Sequence, residues 1–323
     1  MEHCLQLLGS NVNGEQLLQQ LVNGMTLGAI YALIALGYSM VYGVLELINF
    51  AHGDVFMVGA FISVGVVQVF GLNEGASLLI AIPVLLLAVV LAAVACAALG
   101  FAIEKVAYRP LRGASRLAPL ISAVGVSFFL EAWVATFVTS RSSQMPDLLP
   151  GAIHITSRVS VQYTQILMFV VSVIMMVGLT ALVRYSRLGR GMRAVAQDRD
   201  AAALMGVNLD QTISFTFIIG SGLAAVAGLL WAMQLPISNL MGFTAGLKAF
   251  TAAVIGGIGN IPGAMLGGFL LGLAEAFGAG YASNLSCGFF SSGYQDAIAF
   301  AFLVVMLIIR PRGILGERVS ERA

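Results

Sequence analysis

The sequence predicts an all-α, polytopic integral membrane protein with about eight to nine transmembrane helices, a glycine-rich short hairpin among them. Three observations carry this. Hydrophobic residues make up 59% of the 323 positions and charged residues only 10%, more apolar surface than a soluble fold can bury. Apolar stretches long enough to span a bilayer, about 17 to 25 residues, recur along the chain with turn or charge signals between them. The basic residues fall in clusters rather than being spread evenly.

The apolar stretches cover residues 17–44, 47–70, 77–103, 118–139, 163–183, 212–235 and 294–310, and a further glycine-rich one covers 247–281. GLNEG at 71–75, Pro110 and Pro119 mark boundaries. Of 16 Lys and Arg, 13 lie in three groups: Lys105 to Arg116, Arg184 to Arg199, and Arg310 to Arg322. All three groups are expected to face the cytoplasm. The exceptions are Arg141, Arg158 and Lys248, the last expected at the external interface with its amine turned outward.

This charge distribution divides the chain. Residues 1–16 have neither a basic start nor an apolar core, so they read as an external segment without a cleavable signal. Residues 17–316 form one membrane domain and 317–323 a cytoplasmic tail. Within the domain, 140–162 is an external loop whose alternating IHITSRVSV suggests a short hairpin on the membrane surface, and 184–210 is a cytoplasmic island.

Parity requires the 247–281 stretch to enter the membrane and return to the same side. A helix at 247–256, a turn at GGIGNIPG and a return helix at 264–280 satisfy this, either crossing twice or re-entrant. Non-helical backbone at depth is tolerated only inside protein or beside a wet cavity. Gly256, Gly257, Gly259 and Asn260 are therefore candidates for a translocation path. Asn49, His52 and Asp54, in ELINFAHGD, are the other candidates, because intramembrane ionisable groups are costly and face cavities or one another. Two readings of that segment stay open: a helix break near the path, or a tight cytoplasmic turn with Asn49 and Asp54 as caps. Glu131 and Glu275 are expected to hydrogen-bond neighbouring helices or line a small wet pocket. The pairs Gly24/Gly28, Gly263/Gly267 and Gly268/Gly272 suit close helix packing.

Several classes of chemistry find no support. Neither Lys105 nor Lys248 follows a glycine, so the lysine-bearing phosphate loop is missing. GGIGNIPG has the wrong glycine spacing for a dinucleotide site, and no strand precedes it. Cys4, Cys96, Cys287, His3, His52 and His154 have no metal-ligand spacing, so no catalytic residue, metal or cofactor is implied. The net charge of +1 gives no sign of nucleic-acid binding.

The island, RYSRLGRGMRAVAQDRDAAALMGVNLD, predicts a short helix with Met192, Val195, Ala196, Ala202 and Ala203 on one face. Arg193, Gln197, Asp198 and Asp200 lie elsewhere. Ala201, Ala202 and Ala203 permit close approach of another surface, while Gly206 and Asn208 end the helix and start the next. Such a helix either rests on lipid headgroups or docks a soluble partner.

Five segments bring in a resemblance. NGMTLGAIYALIALGYSMVYGVLELINFAHGDVFMVGAF (23–61), EKVAYRPLRG (104–113), YSRLGRGMRAVAQDRDAAALMGVN (185–208), KAFTAAVIGGIGNIPGAMLGG (248–268) and PRGILG (311–316) resemble the LivH-type permeases of branched-chain amino-acid ABC importers. The likeness runs from about residue 17 to 316. It implies an ABC importer permease fold in the bacterial inner membrane. The implied partners are a LivM-like second permease, two ATP-binding cassette subunits, a periplasmic amino-acid-binding protein and the lipid bilayer. Gly189, Arg190, Arg193, Ala194, Asp198, Ala201, Ala202, Ala203 and Gly206 would then form the coupling helix against an ATPase subunit. The rival readings are a permease for another small solute, such as urea or other amino acids, and a self-sufficient secondary transporter. The second predicts paired broken helices in two repeats, and only one such hairpin is evident.

Overall fold

The computed structural model describes residues 14–115, 117–156, 159–285, 295–310 and 312–316. Most of the N-terminal segment, Arg116, Arg158, Cys4, Cys287, His3 and the tail from 317 lie outside the described residues. Eleven helices and one small sheet are present among those described. They are α1 (Gly14–Leu45), α2 (His52–Val69), α3 (Leu78–Ile103), α4 (Leu117–Phe137), α5 (Tyr163–Tyr185), α6 (Arg187–Gln197), α7 (Arg199–Leu204), α8 (Leu209–Gln234), α9 (Met241–Gly256), α10 (Ile261–Leu285) and α11 (Gln295–Ile309). A π turn at Glu104–Tyr108 and a 3-10 turn at Arg109–Leu111 extend α3. Pro110, which has no backbone N–H to continue a helical ladder, sits in the 3-10 turn.

Among the described residues seven helices are long and apolar enough to span a membrane, and two shorter apolar ones, within α9 and α11, accompany them. The bundle has an inner and an outer layer. The most apolar window of α1 is 83% buried, whereas that of α5 is 17% buried. α2, α8 and α10 side with α1, and α3 and α4 with α5. Small residues explain why α1 takes the centre. Gly28 lies against Phe269 and Gly272, and Gly268 against Ala32, so closely that an added Cβ would strike backbone. The four-residue glycine pairs therefore act as helix contacts, as their spacing suggests.

The glycine-rich hairpin differs from the expectation. Its first helix begins at Met241, and its 16 residues extend about 24 Å at helical rise, most of a hydrocarbon core. Its turn lies level with the end of α1 rather than midway along the bundle. Gly259 sits opposite Gly43, near the end of α1. Ile314 and Leu315 donate backbone N–H groups to the carbonyls of Ile255 and Gly256 at 2.9 and 3.0 Å, and Asn260 Nδ2 donates to the Leu315 carbonyl at 2.9 Å. The hairpin thus crosses the bundle, and the break at 256–260 is an end turn. Its glycines serve close packing: Gly257 has φ +107° and abuts the backbone of Gly316.

At this end of the bundle, residues 104–115, the island, the glycine turn and 312–316 gather. The opposite end carries the antiparallel hairpin β1 (Ala152–Thr156) and β2 (Val159–Gln162), with Ala152 opposite Gln162. There Ser143 pairs with Ile237, and Ser160 donates its N–H to Gln19 Oε1 at 3.0 Å.

Candidate functional site

Residues 46–51 are not a compact turn between two spans. α1 ends at Leu45, and Glu46 has φ +54°. The chain then runs back into the bundle before α2 begins at His52. The His52 ring lies against Gly37, roughly two turns and about 12 Å before the end of α1. This excludes the tight turn with capping side chains. Asn49 and Asp54 do not cap α2: its N-cap is Ala51, with no side-chain cap bond. Instead, Asn49 Oδ1 accepts a hydrogen bond from Tyr108 OH at 3.0 Å, and Asp54 Oδ2 accepts one from Ser127 Oγ.

Asn49, His52 and Asp54 thus all lie in the interior, each essentially inaccessible to solvent. The Tyr38 ring packs edge-on against His52, centroids 4.9 Å apart. On the other side α9 crosses α2 where Gly53 faces Gly242 and Gly246, close enough that a Cβ on Gly53 would lie 2.9 Å from the Gly246 Cα. Glu131, one turn beyond Ser127 on α4, is also buried. Among the described residues His52 Nε2, Asp54 Oδ1 and Glu131 Oε1 have no hydrogen-bond partner. Gly256, Gly257, Gly259 and Asn260 do not join this centre, because the hairpin crosses completely and carries them to the island end. No group of three or more His, Cys, Asp or Glu among the described residues has a metal-holding arrangement.

The island is two helices rather than one. Ser186 Oγ accepts from the Gly189 N–H at 2.8 Å and caps α6, and Asp198 Oδ1 accepts from the N–H groups of Asp200 and Ala201, each at 3.0 Å, capping α7. Met192, Val195 and Ala202 turn into the bundle, whereas Ala196, Ala201 and Ala203 are exposed. The expectation of one face carrying all five apolar residues is therefore corrected. Asp198 ends α6 and caps α7; Ala202 packs within its own chain with Met192 and Val195, and Ala203, like Ala196, does not. Gly189 is wedged against the carbonyls of Leu182 and Val183. Arg190 and Arg193 lie on the exposed side, Ala194 is half-buried, and Gly206, at φ +85°, turns the chain after α7. The exposed apolar group here is one that pattern reading missed: Leu204 and Met205, 89% and 85% exposed, form the tip of α7. Their place in the sequence, two large apolar residues just before a glycine turn, was the available signal.

The family model described as branched-chain amino acid transport system / permease component matches residues 20–309. The chain belongs to this family. It is similar to the high-affinity branched-chain amino acid transport system permease protein BraD of Pseudomonas aeruginosa, with 48% identity over 94% of this chain and 97% of BraD. It is also similar to LivH of Escherichia coli K12, named as the permease protein of the same kind of system, with 44% identity over 94% and 97%. A more distant likeness, to the xylose transport system permease protein XylH of Escherichia coli, is 28% identical and covers 44% of this chain and 37% of XylH. The permease is thus a multi-pass protein of the bacterial inner membrane.

Among the described residues two ion-pair networks brace the permease. At the island end, Arg112 pairs with buried Glu104 and with Asp210, and Arg109 also pairs with Asp210. Ser214 Oγ donates to Glu104 Oε2 at 2.7 Å. These basic residues therefore do more than mark a side of the membrane: they bind the end of α3 to the start of α8, directly after the island. In the other network, Lys248 does not turn its amine outward. Nζ lies 2.6 Å from Glu275 and 2.7 Å from Asp296, joining α9, α10 and α11. A charge in a low-dielectric bundle is held by countercharges rather than left to reach for water. Glu275 thus bonds a neighbouring helix, as expected of it.

Proposed function

We propose that the permease is the membrane subunit of an ATP-driven importer for leucine, isoleucine and valine. It forms the translocation path with a second, LivM-like permease. Two ATP-binding cassette subunits and a periplasmic amino-acid-binding protein complete the importer, and the chain itself is non-catalytic. The nearly full-length likeness to BraD and LivH carries this reading.

The island end faces the cytoplasm in this reading, and the β-hairpin end faces the periplasm. The island, Gly189 to Gly206, docks on an ATPase subunit with the Leu204–Met205 tip leading and Arg190 and Arg193 at its rim. Buried Met192, Val195 and Ala202 hold its orientation, so motion of the docked subunit reaches α5 and α8. The α2 break, with Asn49, His52 and Asp54, borders the route. Its polar groups suit the charged ends of a zwitterion, and the surrounding apolar helices suit its side chain.

The test is uptake by proteoliposomes holding all subunits, challenged with amino acids, urea and xylose. ATP-dependent uptake of the branched-chain amino acids is expected. Preference for urea or the sugar would overturn the substrate, and uptake without the ATPase subunits would favour a secondary transporter. The purified chain alone should neither bind nor hydrolyse ATP.

A further inference from the structure

Between the end of α1 and the island lies a cavity of about 390 Å³, within the range of small-molecule sites. One wall is hydrocarbon, from Val44, Leu47, Leu111 and Pro119, and four charged residues line the same space: Arg112 and Asp198, committed to the Glu104 and Asp210 pairs and to the α7 cap, and Glu46 and Arg199. Arg199 donates one guanidinium hydrogen bond to the Leu45 carbonyl, and its other donors make no hydrogen bond or ion pair among the described residues. The Glu46 carboxylate makes no hydrogen bond or ion pair among the described residues. Glu46 is also the one non-glycine residue among those described with a positive φ, 54°. Residues held in that conformation cluster at ligand clamps and switch regions, where their surroundings over-determine them.

Both charge signs beside an apolar wall specify a small zwitterion with a hydrocarbon side chain. We propose that this cavity binds free branched-chain amino acid from the island side of the membrane and that its occupancy slows import. The ligand class and the sidedness rest on the function proposed above. The planar guanidinium of Arg199 takes the α-carboxylate, Glu46 takes the α-ammonium, and the side chain lies on the Val44–Leu47 wall. Arg199 opens α7 of the island and Glu46 begins the α2 break, so the bound amino acid bridges the two. A ligand that binds one arrangement better shifts the population toward it. Accumulated product thereby holds the island against the bundle.

The complete importer is reconstituted in vesicles with ATP trapped inside, with or without leucine in the lumen, and the binding protein and radiolabelled leucine outside. Each permease is scored by its initial uptake rate with luminal leucine relative to its own rate without. We expect luminal leucine to slow the wild type about tenfold, and Glu46→Gln and Arg199→Gln to escape most of that inhibition. Luminal leucinamide, which lacks the carboxylate, and 4-methylpentanoate, which lacks the ammonium, should have little effect. Equal inhibition of wild type and Glu46→Gln would overturn the proposal, as would 4-methylpentanoate acting as well as leucine. If leucine-free vesicles import leucine and luminal leucine changes nothing, this proposal fails and the proposed function stands. If they import none, the substrate reading fails; equilibrium dialysis of radiolabelled leucine against the complex without binding protein then decides this site, with binding by wild type but not Glu46→Gln required.

Discussion

Replacing Leu204 and Met205 together by serine tests the docking role of the island at its most exposed point. The two side chains are 89% and 85% exposed, so neither packs much against its own chain. Burying a leucine or methionine side chain fully contributes about 1.5–3 kcal/mol. Two at the centre of an interface would contribute about 3–6 kcal/mol before the ordering costs of association. A net loss of about 2–4 kcal/mol is therefore expected, which weakens docking by about 30- to 1000-fold. The stability of the permease itself should move by no more than about 0.5 kcal/mol, as for other surface substitutions. The assay titrates ATPase subunits onto immobilised permease pairs and measures ATP-driven uptake in parallel. Ala202→Arg is the contrasting variant: Ala202 is 4% exposed, so a long charged side chain there disrupts the island and lowers the melting temperature as well. Docking and uptake at wild-type levels in the serine variant would refute the argument and leave the island resting on lipid headgroups.

Lys248→Met leaves the Glu275 carboxylate, 3% exposed, without its buried cation, which costs about 3–5 kcal/mol. Thermal denaturation in detergent should show the loss and its partial recovery on adding Glu275→Leu; an unchanged melting temperature in the single variant would contradict the pairing. Gly53→Val drives a side chain into the backbone of α9 and should cost at least about 1–3 kcal/mol, seen as a lost monodisperse peak in size exclusion. Gly65→Ala on the same helix, with nothing within 4 Å of the added carbon, should keep that peak. Gly257→Leu should free residues 312–316 from the hairpin turn and hasten tryptic cleavage after Arg312; an unchanged digestion rate would show that the contact is dispensable. In a background without native cysteines, Ser142→Cys and Met205→Cys, both at exposed positions, should react with an impermeant reagent from opposite sides. Labelling from one side would overturn the proposed orientation.

What the sequence determined by itself follows from local physics. A run of apolar residues long enough for a bilayer needs no tertiary information to be recognised, and the long spans were legible on that ground, while the crossing of the 247–281 hairpin was left open. The four-residue glycine pairs were legible for a similar reason, since a small-residue stripe permits a close crossing whichever helix fills it. Other features depended on which groups meet across the fold. Asn49 and Asp54 carry the residue types of helix caps, and only the path of residues 46–51 back into the bundle hands them to Tyr108 and Ser127 instead. Lys248 reads as an interfacial lysine until α10 and α11 bring Glu275 and Asp296 to its amine. The face of the island was read as turned to a partner, whereas Met192, Val195 and Ala202 pack on their own bundle, and the exposed apolar residues are Leu204 and Met205 beyond the Asp198 cap. Hydrophobic periodicity records how a segment meets an apolar medium. Which polar partner it meets is set by long-range packing, and the tertiary structure alone decided that.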